Sequence, residues 1–206
     1  MLKWGLVMMR NQDHIEGGMT GMTDTAPAAD LMEESDRGCV LVGAAMLEDS
    51  LAELFKAVFK KNAIVGKVEK ALFDANGPLS TFSAKIKMAY GMGFIDRAVF
   101  DDLELIRRIR NEFAHSQAKV DFVDDRFKPL VESLNSIQDI LHVMPTYGVA
   151  EGETPDDYDL RRAGYIKRTK ALFALGVKSL VVTLGRAQLR ALGIPLPELS
   201  AAMPCR

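Results

Sequence analysis

The chain has 206 residues, 48% of them hydrophobic and 26% charged, with a formal net charge of −2. That length suits one domain with tails. The near-neutral charge excludes a global basic field for holding nucleic acid, so any DNA or RNA contact needs a local patch. The two cysteines, Cys39 and Cys205, have no metal or redox spacing, which suits a reducing cytoplasm, and no cofactor or metal is expected.

Residues 1–30 carry Gly17, Gly18, Gly21 and Pro27 and read as a disordered leader, with His14 an exposed tail residue. The apolar run from Leu2 to Met9 is too short for a signal peptide. A helical domain is expected over 31–194, then a tail over 195–206.

The first long helix is expected over 36–61. Val40, Ala44, Leu47, Leu51, Leu54 and Val58 form one apolar stripe. Beside it runs a second, Leu41, Ala45, residue 48, Ala52, Phe55 and Phe59, in which residue 48 is Glu. A shorter helical segment follows over 63–74. Asn76-Gly77-Pro78 then stops and restarts the chain. Leu79 to Tyr90 places Leu79, Phe82, Ile86 and Ala89 on one face and ends at Gly91-Met92-Gly93.

The helix over 96–116, capped near Asp96, is the most informative stretch. Val99, Leu103, Ile106, residue 110 and Phe113 lie at steps of four, three, four and three. Residue 110 is Arg, and an unpaired guanidinium on a buried stripe is too costly to keep. Glu48 is its expected ion-pair partner, although Glu48 at the edge of its stripe is an equally good reading. His115 ends the helix and can exchange a proton near neutral pH. Asn111 and His115 share a helix face better than Arg110 and His115 do.

Another helix is expected over 121–144, with Leu130, Leu134, Ile137 and Leu141 in line and His142 a structural residue beside them. The Gly- and Pro-punctuated stretch 145–155 reads as a mobile loop. Residues 156–192 read as one long helix or a broken pair. Within them Arg161, Arg162, Lys167, Arg168 and Lys170 form the one notable basic cluster, a candidate nucleic-acid contact that a solvated helix face explains better. The apolar run Ala171–Leu184 falls short of the roughly 20 residues that span a bilayer, so no membrane segment is expected.

Arg110-Asn111-Glu112-Phe113-Ala114-His115 resembles the Arg-x(4–6)-His signature of the HEPN-like superfamily. Gly77-Pro78-Leu79, the run from Ser83 to Gly93, Asp102-Leu103-Glu104-Leu105 and Arg110 to His115, in that order, resemble the mannitol operon repressor family within it. The resemblance covers roughly 35–143. It implies an all-α, compact single-domain helical bundle, HEPN-like, with a long C-terminal helix. It also implies a cytoplasmic transcriptional regulator without a DNA-reading motif, acting through another protein, and a homodimer. The alternative it implies is a metal-independent ribonuclease or RNA-binding protein. There Arg110 would hold phosphate, His115 would move protons and Asn111 would orient His115 or the phosphate. On the residues alone, a structural role for Arg110 and His115 stands ahead of catalysis.

Overall fold

A computed structural model describes residues 31–116, 120–122, 124, 126–141 and 154–195, apart from the side chains of 155–158 and 162. Every regular element among them is helical. The elements are α1 (Asp36–Lys61), α2 (Lys67–Phe73), α3 (Phe82–Gly91), α4 (Arg97–His115), α5 (Lys128–Glu132), a 3-10 turn (Asn135–Ile137), α6 (Gln138–Leu141) and α7 (Pro155–Leu192). The expectations for the leader, His14, His142, the 145–155 loop and most of the tail lie outside the described residues.

Local chemistry sets the helix starts. Ser35 caps α1 by accepting from the Gly38 N–H, Thr81 caps α3 through Ala84, and Asp96 caps α4 through Val99. The expected α1 stripe is buried along its whole length, and α1 packs on α7 more extensively than on any other element. Gly43 permits that approach: a Cβ there would stand 3.1 Å from both the Phe173 ring and Val177 Cγ2. Leu172, Phe173, Val177, Leu180 and Leu184 of α7 fill the core. Asp159–Leu192 has the length and apolarity of a membrane span, with 44% of the most apolar window buried inside the molecule. Gly164, Gly176 and Gly185 do not break α7.

Three expectations need correction. The helix expected over 121–144 is instead α5, the 3-10 turn and α6. The chain turns extended at Leu134, and the donors that follow are held by Asp102, a carboxylate on α4 that is only 1% exposed. Its oxygens accept from the Asn135 N–H at 2.7 Å, Asn135 Nδ2 at 2.9 Å and the Ser136 N–H at 2.8 Å. Backbone donors held by a side chain cannot also serve an α-helical ladder. Secondly, the stripe on α4 runs Leu103, Ile106, Ile109, Phe113, all fully buried, and Arg110 is exposed. From 103 to 113, steps of three, three and four are as helical as three, four and three, and burial selects the apolar choice. Thirdly, Glu48 pairs with Lys85 of α3, Nζ to Oε1 at 2.6 Å, and not with Arg110. The Lys85 side chain is 8% exposed and that of Glu48 is 32% exposed. The buried charge of this pair therefore lies on α3, at Lys85.

The candidate site at the end of α4

The α4 helix carries two local ion pairs, Arg97 with Asp101 at 2.9 Å on its exposed face and Arg107 with Glu104, half-buried, at 2.7 Å. Arg97 is held further in its charged form by the hydrogen bond to Asp101. Arg110 is free of Glu48 and donates from Nη1 to Asn111 Oδ1 at 3.1 Å. Asn111 is half-buried and His115, the last residue of α4, is exposed.

Two consecutive residues at the start of α1 hold this end of the molecule. Arg37 donates from Nε to the Phe113 carbonyl at 2.8 Å and from Nη2 to the Ser116 carbonyl at 2.6 Å. These are among the carbonyls a helix C-terminus leaves without an intrahelical partner. Asp36 accepts from the Phe122 N–H at 3.0 Å. Beneath them Phe113 packs against Phe122 and Phe127, with ring centroids 5.6 and 4.6 Å apart. The end of α4 and the segment leading into α5 are thus fixed to one another from below by aromatic packing and from the side by α1.

Between them lies an open pocket of about 270 Å³, lined by Asn111, Glu112, His115, Ser116 and Arg126. Arg126 is oriented by Asp124, whose two carboxylate oxygens accept from its Nε at 2.9 and 3.1 Å and from Nη2 at 2.7 Å. The Arg126 hydrogen bonds hold the Asp124 carboxyl below its usual range, and the same contact raises the Arg126 guanidinium above its own. Across the mouth, Arg126 Nη1 stands 4.0 Å from Glu112 Oε2. Arg110 is not among the lining residues. The pocket therefore brings together Asn111 and His115 of the expected trio and adds Arg126, which the sequence reading passed over.

The basic cluster on α7 does not form a surface. Arg168 is 6% exposed and its Nη1 binds Glu132 of α5. Lys170, 9% exposed, donates to the carbonyls of Met32 at 3.0 Å and of Glu34, and lies 3.9 Å from Asp36. Arg161 is half-buried and engaged within the fold, whereas Lys167 is exposed. The side chain of Arg162 lies outside the described residues. With Arg168 and Lys170 spent on holding α5 and the start of α1, the candidate nucleic-acid contact loses two of its five cations.

Among the described residues, no group of three or more His, Cys, Asp or Glu side chains is placed to hold a metal ion. Cys39 is fully buried, and burial pushes its thiol up to about 12, so it is inert as a nucleophile. Arg37, which builds this end of the fold, was not among the candidate residues. Arg37 left one signal: a cation in the first turn of a helix opposes the dipole, and it needs acceptors elsewhere.

The family profile described as mannitol repressor matches residues 31–184 of this chain. Two curated mannitol operon repressors, from Escherichia coli K12 and from E. coli O6:H1, are each 31% identical to it over 90 residues. That stretch is 43% of this chain and 46% of theirs, so the chain matches about half the length of these relatives. The X-ray structure of the MtlR-HPr complex from E. coli shares the fold, with a TM-score of 0.65 at 22% identity over 76% of this chain and 97% of that one. With the profile spanning well over half of its residues, the chain belongs to the mannitol repressor family.

Proposed function

We propose that this protein is a cytoplasmic transcriptional regulator that acts by binding another protein, and that it does so as a homodimer. The observation that carries this reading is the fate of the basic cluster. Arg168 and Lys170 are buried in internal contacts, which takes two of five cations from the one notable basic cluster of a chain of net charge −2. Affinity for DNA comes largely from phosphate neutralisation, so this fold is poorly equipped to hold an operator by itself. The E. coli relatives are named as operon repressors, and the solved structure of like fold is a complex of MtlR with HPr. A protein of the HPr type is the partner this reading selects. Titration calorimetry of the full chain with purified HPr should show saturable binding, and gel shifts at physiological salt should show only weak, salt-sensitive DNA binding of roughly 10⁻⁴–10⁻⁶ M. Nanomolar operator binding that survives competitor DNA, with no affinity for HPr, would overturn it.

One observation favours a second reading, the HEPN-type ribonuclease. Arg110 is exposed and hydrogen-bonded to Asn111, while Asn111 and His115 line a common pocket. Arg110 could then hold phosphate, with His115 as acid or base and the second His supplied by the dimer partner. Against it, Glu112 lines the same pocket with a negative charge. The expected result is no RNA cleavage in EDTA. Cleavage to 2′,3′-cyclic phosphate that is lost in His115→Ala would put this reading first.

A further inference from the structure

We infer that the outward face of the second half of α7 is a docking surface for an acidic amphipathic helix of a partner protein. Ala171, Leu175, Lys178, Val182, Gly185 and Leu189 follow one another at alternating steps of four and three. That spacing draws the seam along which a second helix lies in a coiled coil. The core side of α7 is a different set, Leu172, Phe173, Val177, Leu180 and Leu184, all buried. The helix therefore carries two stripes at helical spacing, and the fold fills one of them. It packs on α1, α5 and the 3-10 turn. On the other stripe Val182 is 49% exposed, Lys178 is exposed, and Ala171, Leu175, Gly185 and Leu189 are half-buried.

Gly185 is the most specific element. A glycine inside a helix costs about 1 kcal/mol relative to alanine. At Gly43 and Gly176 packing supplies the reason, since a Cβ would stand 3.1 Å from the Phe173 ring and 3.1 Å from Leu134 Cδ1 respectively. A Cβ at Gly185 would meet nothing within 4 Å. Among the described residues, no neighbour needs that position small. An incoming helix does need it, because the distance between two packed helices is set by the side chains at their contact. A missing side chain on the seam lets the second backbone come close.

Charge selects the partner. Lys178, Arg186 and Arg190 are exposed along this face over about 18 Å of helix, and none is paired with an acid among the described residues. Lys61 of α1 adds a cation at the far end, where it donates to the Ala191 carbonyl at 2.7 Å. From Leu160 to the end of α7 there is no Asp or Glu. Two copies of this helix laid together, in either direction, would set cation against cation with no acid to relieve them, which disfavours a second copy of the chain on this face. A phosphate backbone would answer the cations and leave Leu175, Val182 and Leu189 wet. A helix with apolar residues at heptad spacing, flanked by Asp or Glu, answers both. The surface stands apart from the pocket at the end of α4 and does not depend on the identity of HPr as a partner.

The test titrates the full chain into a labelled three-heptad peptide with Leu on its seam and Glu at the flanking positions, followed by fluorescence anisotropy. The same peptide with Lys in place of Glu, and a mixed-sequence DNA duplex, are the comparison probes. The acidic peptide should bind with a Kd on the order of 10 μM, and more weakly as salt is raised. The double change Lys178→Glu with Arg186→Glu should weaken it about tenfold or more, and so should Gly185→Leu. These positions are turned to solvent, so circular dichroism should be unchanged, and Gly185→Leu should melt no lower than the parent. Failure of the acidic peptide to bind would overturn the inference. So would equal binding of the Lys peptide, tighter binding of the DNA duplex, or affinity untouched in both variants. A dimer that either variant converts to monomer, read by light scattering, would also overturn it by seating a second copy here. HPr binding is measured separately on the unmodified chain, so either result can fail without the other.

Discussion

Replacing Asp102 tests how much one buried carboxylate contributes by holding the backbone of the 3-10 turn. Asp102 accepts three hydrogen bonds, two of them from the backbone of Asn135 and Ser136, and is 1% exposed. Hydrogen bonds to charged groups contribute roughly 1.5–3 kcal/mol each, and the values are not additive within one group. Asn135 is exposed and Ser136 half-buried, so in Asp102→Ala water would recover part of the loss. We expect about 3 kcal/mol of destabilisation, a fall in Tm of roughly 6–12 °C for a chain of this size. Asp102→Leu should do no better, because the backbone N–H groups remain whatever replaces the acceptor. Asp102→Asn should lie between, since one oxygen survives. Urea denaturation followed by circular dichroism measures all three. A loss below about 1 kcal/mol in Asp102→Ala, or recovery of stability in Asp102→Leu, would refute the account.

Glu48→Ala should cost about 2 kcal/mol by leaving the Lys85 ammonium nearly buried without a partner, whereas Glu48→Leu with Lys85→Met should cost much less; denaturant midpoints decide this. Arg110→Ala, by contrast, should shift the same midpoint by less than about 0.5 kcal/mol, as expected for an exposed side chain. Gly77→Ala should destabilise by about 1–3 kcal/mol, because a Cβ there would stand 2.3 Å from the Ala71 carbonyl oxygen and 2.5 Å from that of Leu72, both backbone atoms. Cys39 should resist thiol reagents at pH 8 until the chain unfolds, measured in a Cys205→Ser background. Its folded-state pKa of about 12 exceeds the unfolded value near 9, so the stability it contributes is complete below pH 9 and is lost as pH rises toward 12.

The sequence by itself determined the helical class, the bounds of α1, the Asp96 cap of α4 and the full core stripe of α1. Each follows from local periodicity or capping, which depends on residues within one or two turns. Gly77 and the signature pieces likewise placed the chain in its family before any packing was known. What tertiary structure decided was the partner of the charges that pair between helices. Glu48, Lys85 and Arg110 lie on three different helices, and one-dimensional spacing offered Arg110 to the core as readily as Ile109. Only packing, which removes water from one register and not the other, put Ile109 inside, sent Arg110 to the surface and left Lys85 as the cation that Glu48 meets. The same holds for Asp102, whose fate depends on Asn135 and Ser136 more than thirty residues away, and for the pocket. Its walls come from α4 and from the segment before α5, and Asp36 and Arg37 bring them together by contacts about eighty residues distant in sequence. Periodicity carries no information about such contacts, because they are made by side chains reaching across elements.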